Sequence, residues 1–182
     1  MKKGVGKRLQ ISRRNLPHIQ AGGSAYFITW RILDGLSLTM PERLLTLEAT
    51  RKFHGVRYLT SAVVVMPDHI HLLLTPLQKE PKLWWDLGAL LKGMKGASAR
   101  AINKQRNRTG SLWQDEAFDR IMRPGEFTEK YRYICLNAQR AGLVAPGEAY
   151  PALWISCFED GWMPSRMAEP WQGPDDPRCS GV

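Results

Sequence analysis

Residues 63–76 read VVVMPDHIHLLLTP: a β-branched apolar run, a Pro-Asp pair, and a second apolar run that carries two histidines one residue apart. Two strand-forming runs separated by such a turn signal predict a hairpin. Side chains at i and i+2 of a strand leave the same face. His69 and His71 are therefore expected side by side, their ring nitrogens able to converge on one ion.

The flanking segments place this hairpin in a larger order. Upstream, SAYFITWRIL (24–33) alternates with Tyr26, Ile28, Trp30 and Ile32 on one side, which predicts a strand. PERLLTLEATRKF (41–53) opens with Pro41 at a first helical position and mixes leucines with charges, as a surface helix does. VRYLTSAVVVM (56–66) is apolar enough for a central strand. Downstream, Leu83, Leu87, Leu90, Met94, Ala97 and Ala101 draw one apolar stripe along a helix, with Lys92, Lys95 and Arg106 roughly opposite. TGSLWQDEAFDRIM (109–122) supplies a turn and an extended segment, and EFTEKYRYICLNAQRAG (126–142) reads as a last helix closed by Gly142 at C′. The order β-α-β-β-α-β-α predicts an α+β, ferredoxin-like fold: a split βαβ antiparallel sheet with helices on one face plus a C-terminal helix.

Composition narrows the function classes. The 182 residues carry 43% hydrophobic and 24% charged side chains, globular values that suit one domain with an ordinary core. No apolar run approaches the roughly 18 residues that span a bilayer. The basic start MKKGVGKRLQISRR lacks the apolar region of a signal peptide. Cys135, Cys157 and Cys179 are too few and too scattered for a disulfide framework or a CxxC zinc site, so a cytoplasmic location is expected.

A formal net charge of +9 points to a polyanionic partner. Residues 1–14 hold six basic side chains and no acidic one, and so do residues 92–108. The expected division is a basic arm over 1–20, the folded domain over 21–156, and a proline-rich acidic tail over 157–182. Arg13, Arg14, Lys92, Lys95 and Arg106 are the candidate phosphate contacts. Trp84, Trp85 and Trp113 can stack unpaired bases, although tryptophans in apolar patterns more often fill cores.

On the last helix Phe127, Tyr131, Ile134, Ala138 and Ala141 make the packing stripe, while Tyr133, Asn137 and Arg140 share another flank. A phenol is a poor nucleophile until its target is activated. A divalent ion on His69 and His71 polarises a phosphate oxygen and so supplies that activation. The amide oxygen of Asn137, one turn from Tyr133, can complete the ligand set.

VVVMPDHIHLLLTP, GSLWQDEAFDRIM and YRYICLNAQRAGLV, in that order and over roughly residues 20–156, resemble the HUH single-tyrosine transposases of the IS200-like group, and among them the REP-associated tyrosine transposases. The resemblance implies a metal-dependent enzyme that nicks and transfers single-stranded or hairpin DNA through a 5′-phosphotyrosine. In it Tyr133 is the nucleophile, His69 and His71 are metal ligands, and Asn137 is the third ligand. Arg140, on the tyrosine's flank, is a further DNA contact. The cofactor is Mg²⁺ or Mn²⁺, of which Mn²⁺ better suits a set with two imidazoles. The chain is expected to act as a monomer or homodimer.

One departure bears on the third ligand. The family's usual YIxxNPVRAGLV reads YICLNAQRAGLV here, with Ala138-Gln139 in place of Pro-Val. Gln139 thus becomes an alternative to Asn137. The rival functional reading is a DNA- or RNA-binding module of the same fold without the chemistry.

Overall fold

The computed structural model describes residues 9–12, 18–123 and 125–156. The chain runs β1 (Leu9–Ser12), β2 (His18–Ala21), β3 (Tyr26–Ile32), α1 (Met40–Arg51), β4 (Tyr58–Val65), β5 (His69–Pro76), β6 (Gln78–Glu80), β7 (Leu83–Trp84), α2 (Leu87–Gln105), β8 (Trp113–Ile121), α3 (Phe127–Arg140) and β9 (Leu153–Ile155). Five strands form an antiparallel sheet in the order β8-β3-β5-β4-β9. Without β9 this is the expected ferredoxin-like order, with the histidine strand at the centre.

The hairpin closes as the sequence predicts. Met66 N–H donates to His69 O (2.8 Å) across Pro67-Asp68. The turn is tied to its neighbours by Ile32 N–H to Asp68 O (2.9 Å) and Leu38 N–H to Pro67 O (2.7 Å). Val63, Val64, Val65, Ile70, Leu72, Leu73 and Leu74 are fully buried. A strand covered on both faces reads as a continuous apolar run for that reason.

Two contacts assign the helices to faces. Thr60, paired with Leu74, donates its hydroxyl to Thr50 O of α1 (3.4 Å). Trp113 donates Nε1–H to Ser98 Oγ of α2 (3.0 Å) and meets Trp30 edge to face. Thus α1 and α2 cover the face of Trp30, Ile70, Leu72 and Leu74. α3 covers the opposite face, where its Tyr133 meets His71 and Phe27.

Local chemistry sets the helix ends. Asp86 caps α2 by accepting from Ala89 N–H (2.7 Å), so Leu83 falls outside the helix, in β7. The buried stripe of α2 is Leu87, Leu90, Leu91, Met94, Ser98 and Ile102. The expected Ala97 and Ala101 are displaced by one position, because Ser98 buries its hydroxyl on Met94 O (2.9 Å) and under Trp113. Gly142, at φ +68°, ends α3 in a Schellman motif: Leu143 N–H bonds Ala138 O and Gly142 N–H bonds Gln139 O, each at 2.9 Å.

Three small elements were not anticipated. Leu9–Ser12 and His18–Ala21 pair in register within the expected basic arm, so a hairpin occupies part of it. The short β6–β7 hairpin precedes α2, and β9 extends the sheet beyond β4. Arg13, Arg14 and the expected tail 157–182 lie outside the described residues. Among the described residues no helix is long and apolar enough to cross a membrane.

Candidate active site

The face under α3 carries the polar residues of the central strands. The register Thr29↔His71 and Arg31↔His69 sets Phe27, Thr29 and Arg31 of β3 beside the histidines of β5. His69 and His71 stand with ring centroids 4.7 Å apart. The i, i+2 spacing thus does what strand geometry requires.

Each imidazole is held by an oxygen at Nδ1. His71 Nδ1 lies 2.8 Å from Thr29 Oγ1, and His69 Nδ1 lies 2.6 Å from Asp68 Oδ1. Arg31 Nη2 stands 3.9 Å from Asp68 Oδ2. Burial raises the Asp68 pKa, but the hydrogen bond and charge of His69, with Arg31, leave it below the ordinary carboxylate value. Phe27 stacks on the His71 ring at 5.4 Å and 20°.

α3 brings the phenol to this pair within one chain. Tyr133 Oη lies 3.2 Å from His71 Nε2, and its ring meets Phe27 at 6.0 Å edge to face. The tautomer that lets Tyr133 donate has the His71 proton on Nδ1, directed at Thr29. His71 is only 7% exposed. Burial, then His69 and Arg31, push its pKa down to about 3 against the pull of Asp68, so at neutral pH the ring is uncharged and keeps its Nε2 lone pair.

The donor set fits two ligands of a divalent cation. Metal-bound imidazoles characteristically have their second nitrogen held by a carboxylate or another oxygen partner, which fixes the tautomer and aims the free lone pair. Asp68 and Thr29 hold the two Nδ1 atoms in that way, which leaves Nε2 of His69 for a ligand and makes Nε2 of His71, now accepting from Tyr133, available to one only in exchange for that hydrogen bond. Among the described residues no group of three or more His, Cys, Asp or Glu gathers that could hold a metal. The amides read from the sequence as candidate third ligands are Asn137 and Gln139. Asn137 is buried and, four residues from Tyr133, lies about 40° round the helix from it; Gln139, six residues on, lies about 120° away. Helix register therefore favours Asn137, and the Gln139 side-chain oxygen is buried on another flank with no hydrogen-bond partner.

The expected phosphate contacts divide. Arg140 is exposed on the tyrosine flank, its guanidinium 6.0 Å from the Tyr133 ring centre. Lys92 is exposed on α2. Two others serve the fold instead. Arg106 donates to Glu42 Oε1 (2.5 Å), Glu42 Oε2 (2.7 Å) and Ser37 O (2.5 Å), clamping α2 to α1. Lys95 donates to Gln114 O (2.7 Å) and Asp115 O (2.9 Å), pinning α2 to the start of β8. Helical spacing shows which way a cation leaves its helix, and a long side chain still bends to the nearest carboxylate or carbonyl.

The tryptophans also serve the structure. Trp113 is in the core, Trp84 lies against Gly22, where a Cβ would come within 2.4 Å of its ring, and Trp85 lies 4.7 Å beneath the Arg57 guanidinium. A groove of about 710 Å³ opens between α2 and the start of β8, lined by Lys92, Lys95, Gly96, Trp113 and Glu116 among others. His69, His71 and Tyr133 do not line it, so it is separate from the site described above.

Four site residues escaped sequence reasoning: Phe27, Thr29, Arg31 and Asp68. Alternation in 24–33 already puts Phe27, Thr29 and Arg31 on the side away from Tyr26, Ile28, Trp30 and Ile32. An arginine in mid-strand on that second side was the available signal.

No family model matches the chain, and no curated protein matches its sequence. Among solved structures it is similar to a REP-associated tyrosine transposase bound to a REP hairpin, at 18% identity and a TM-score of 0.61, over 76% of this chain and 81% of that one. The chain has the fold of a tyrosine transposase. A transposase candidate from Deinococcus radiodurans, 22% identical over 74% of this chain and 95% of that one, superposes at a TM-score of 0.37, too loosely to carry weight. A bacterial tRNA(His) guanylyltransferase-like protein in complex with GTP superposes at 0.51 with 9% identity, over 77% and 79% of the two chains. One sheet architecture thus serves different chemistries, and activity has to be derived from the site.

Proposed function

We propose that this chain is a DNA nicking and strand-transfer enzyme that acts on single-stranded or hairpin DNA through Tyr133. The observation that carries this reading is the 3.2 Å approach of Tyr133 Oη to Nε2 of a buried, neutral His71 within one chain. A phenol on a helix and a histidine pair on a sheet, converging beside exposed Arg31 and Arg140, form a site suited to a phosphodiester. The REP hairpin in the transposase of similar fold agrees with DNA as the substrate class.

In the reaction, Tyr133 Oη attacks phosphorus, forming a tyrosyl oxygen–phosphorus bond and breaking the bond to the 3′-oxygen. The phenolic proton passes through solvent to the departing oxygen. The products are a 5′-phosphate on Tyr133 and a free 3′-hydroxyl, which can attack the same linkage in reverse. The phosphodiester bond energy is kept, and no nucleotide cofactor is consumed. The His71 Nε2 lone pair serves either the Tyr133 hydroxyl or a metal, so metal binding would free the hydroxyl to face the phosphate; Thr29 fixes the His71 ring, and Phe27 packs on that ring and against Tyr133. His69, His71 and Asn137 would hold Mg²⁺ or Mn²⁺, which when bound polarises the phosphate and stabilises the developing charge.

The test is a denaturing gel of protein incubated with a 3′-labelled oligonucleotide that carries a hairpin and single-stranded flanks, since the 3′-terminal fragment is the one left on Tyr133. Wild type with Mn²⁺ or Mg²⁺ is expected to give a covalent adduct that chelator abolishes and added metal restores. DNA bound without any adduct, under every metal condition, would instead favour the binding module.

A further inference from the structure

We infer that Phe118 is the platform on which an unpaired base next to the cleaved phosphodiester stacks. This rests on the proposed nicking reaction and adds the residue that positions its substrate. Phe118 is 54% exposed and is the one aromatic among the exposed large hydrophobic residues of the described chain. Among the described residues no aromatic or cationic group packs on its ring.

Its place in the sheet gives the exposure meaning. Thr29 is paired with His71 on one side and with Phe118 on the other, so Phe118, Thr29 and His71 form one row on one face. With neighbouring strands about 4.8 Å apart, Phe118 stands roughly 10 Å from His71 across the sheet. That is within reach of the nucleotide flanking a phosphate at Tyr133. α3 packs on β4 and β5, at the other end of the row, and the ring stands on the side it leaves open.

The surroundings select a nucleobase as the occupant. The ring is continuous with the site where the phosphate is proposed to sit, and Arg31 lies exposed on the same face. The chain's charge of +9 suits a polyanion. An aromatic face accepts any base, because every base has a π-face to stack. Phe118 is accordingly a positioning residue, which sets how the strand lies and leaves the displacement itself to Tyr133.

The experiment combines a protein variant with an abasic scan of the oligonucleotide, read as the DNA concentration for half-maximal adduct formation and as the rate at saturation. Phe118→Ala is expected to raise the half-saturating concentration about tenfold, the order that stacking of one base supplies, with a much smaller change in saturated rate. Phe118→Trp should stay within about twofold of wild type. One abasic position beside the nick should weaken wild type by the same factor and leave Phe118→Ala no weaker than it already is.

Circular dichroism and melting of both variants exclude misfolding as the cause. If wild type forms adduct but Phe118→Ala saturates like wild type, or its loss multiplies with that of every abasic position, the inference fails while the nicking reaction stands. Unchanged half-saturation with an altered oligomeric state would make the ring a protein contact and also overturn it. If wild type forms no adduct at all, the nicking reaction and this inference fail together.

Discussion

Tyr133→Phe is expected to lower covalent adduct formation by more than about 10³-fold, because it removes the nucleophile and nothing else. The hydroxyl's hydrogen bond is to His71 at 3.2 Å, and the ring's contacts with Phe27 and His71 persist in phenylalanine. Losing that one bond costs about 1 kcal/mol, so the variant should stay folded and bind hairpin DNA almost as wild type does. The same geometry makes a second statement. Because Oη and Nε2 meet within one chain, a mixture of Tyr133→Phe and His71→Ala proteins should be as inactive as either alone. Recovered activity in the mixture would mean that the helix acts on a neighbouring copy.

Arg106→Ala should destabilise the protein by about 3 kcal/mol, the low end for breaking a buried ion pair, since water still reaches part of the guanidinium. Glu42 is only 4% exposed and would be left with its charge beside the α1 N-terminus and no cation. For a chain of this size the melting temperature should fall by about 6–12 °C. The effect is pH-dependent with a fixed sign. Hydrogen bonding to Arg106 outweighs burial and, with Thr39, lowers the Glu42 pKa from 4.5 to about 2. The ion pair's stabilisation is therefore complete above 4.5 and is lost as pH falls toward 2, so the wild-type and Arg106→Ala melting curves should converge in that window. Equal melting at neutral pH would return Arg106 to the list of free phosphate contacts.

The contrast between Arg106 and His71 shows what the sequence could convey. His69 and His71 were legible because strand geometry alone fixes their relation, and Tyr133, Asn137 and Arg140 because helix geometry fixes theirs. The antiparallel core was legible because Val63–Val65 and Leu72–Leu74 leave no polar face to give to water. Gly142 was legible because a left-handed residue after a helix has few alternatives.

What stayed hidden depended on partners far along the chain. Arg106 meets Glu42 across 64 residues, and Lys95 meets carbonyls near residue 114, which no local periodicity reports. β9 is three residues long and has too few alternations to stand out from a loop. Phe118 looked like an ordinary strand aromatic until pairing with β3 placed it in a row with His71. Its neighbour Asp119 pairs with Ile28 and so falls on the face away from the histidines.

The central claim is that the Tyr133 hydroxyl is the atom that takes the phosphate. Proteolysis of the purified covalent adduct, followed by fragmentation mass spectrometry of the nucleotide-bearing peptide, measures this directly. The predicted result is one modified residue, Tyr133, carrying a 5′-linked phosphate. A phosphate on Tyr131 or any other side chain, with Tyr133 unmodified, would contradict the account.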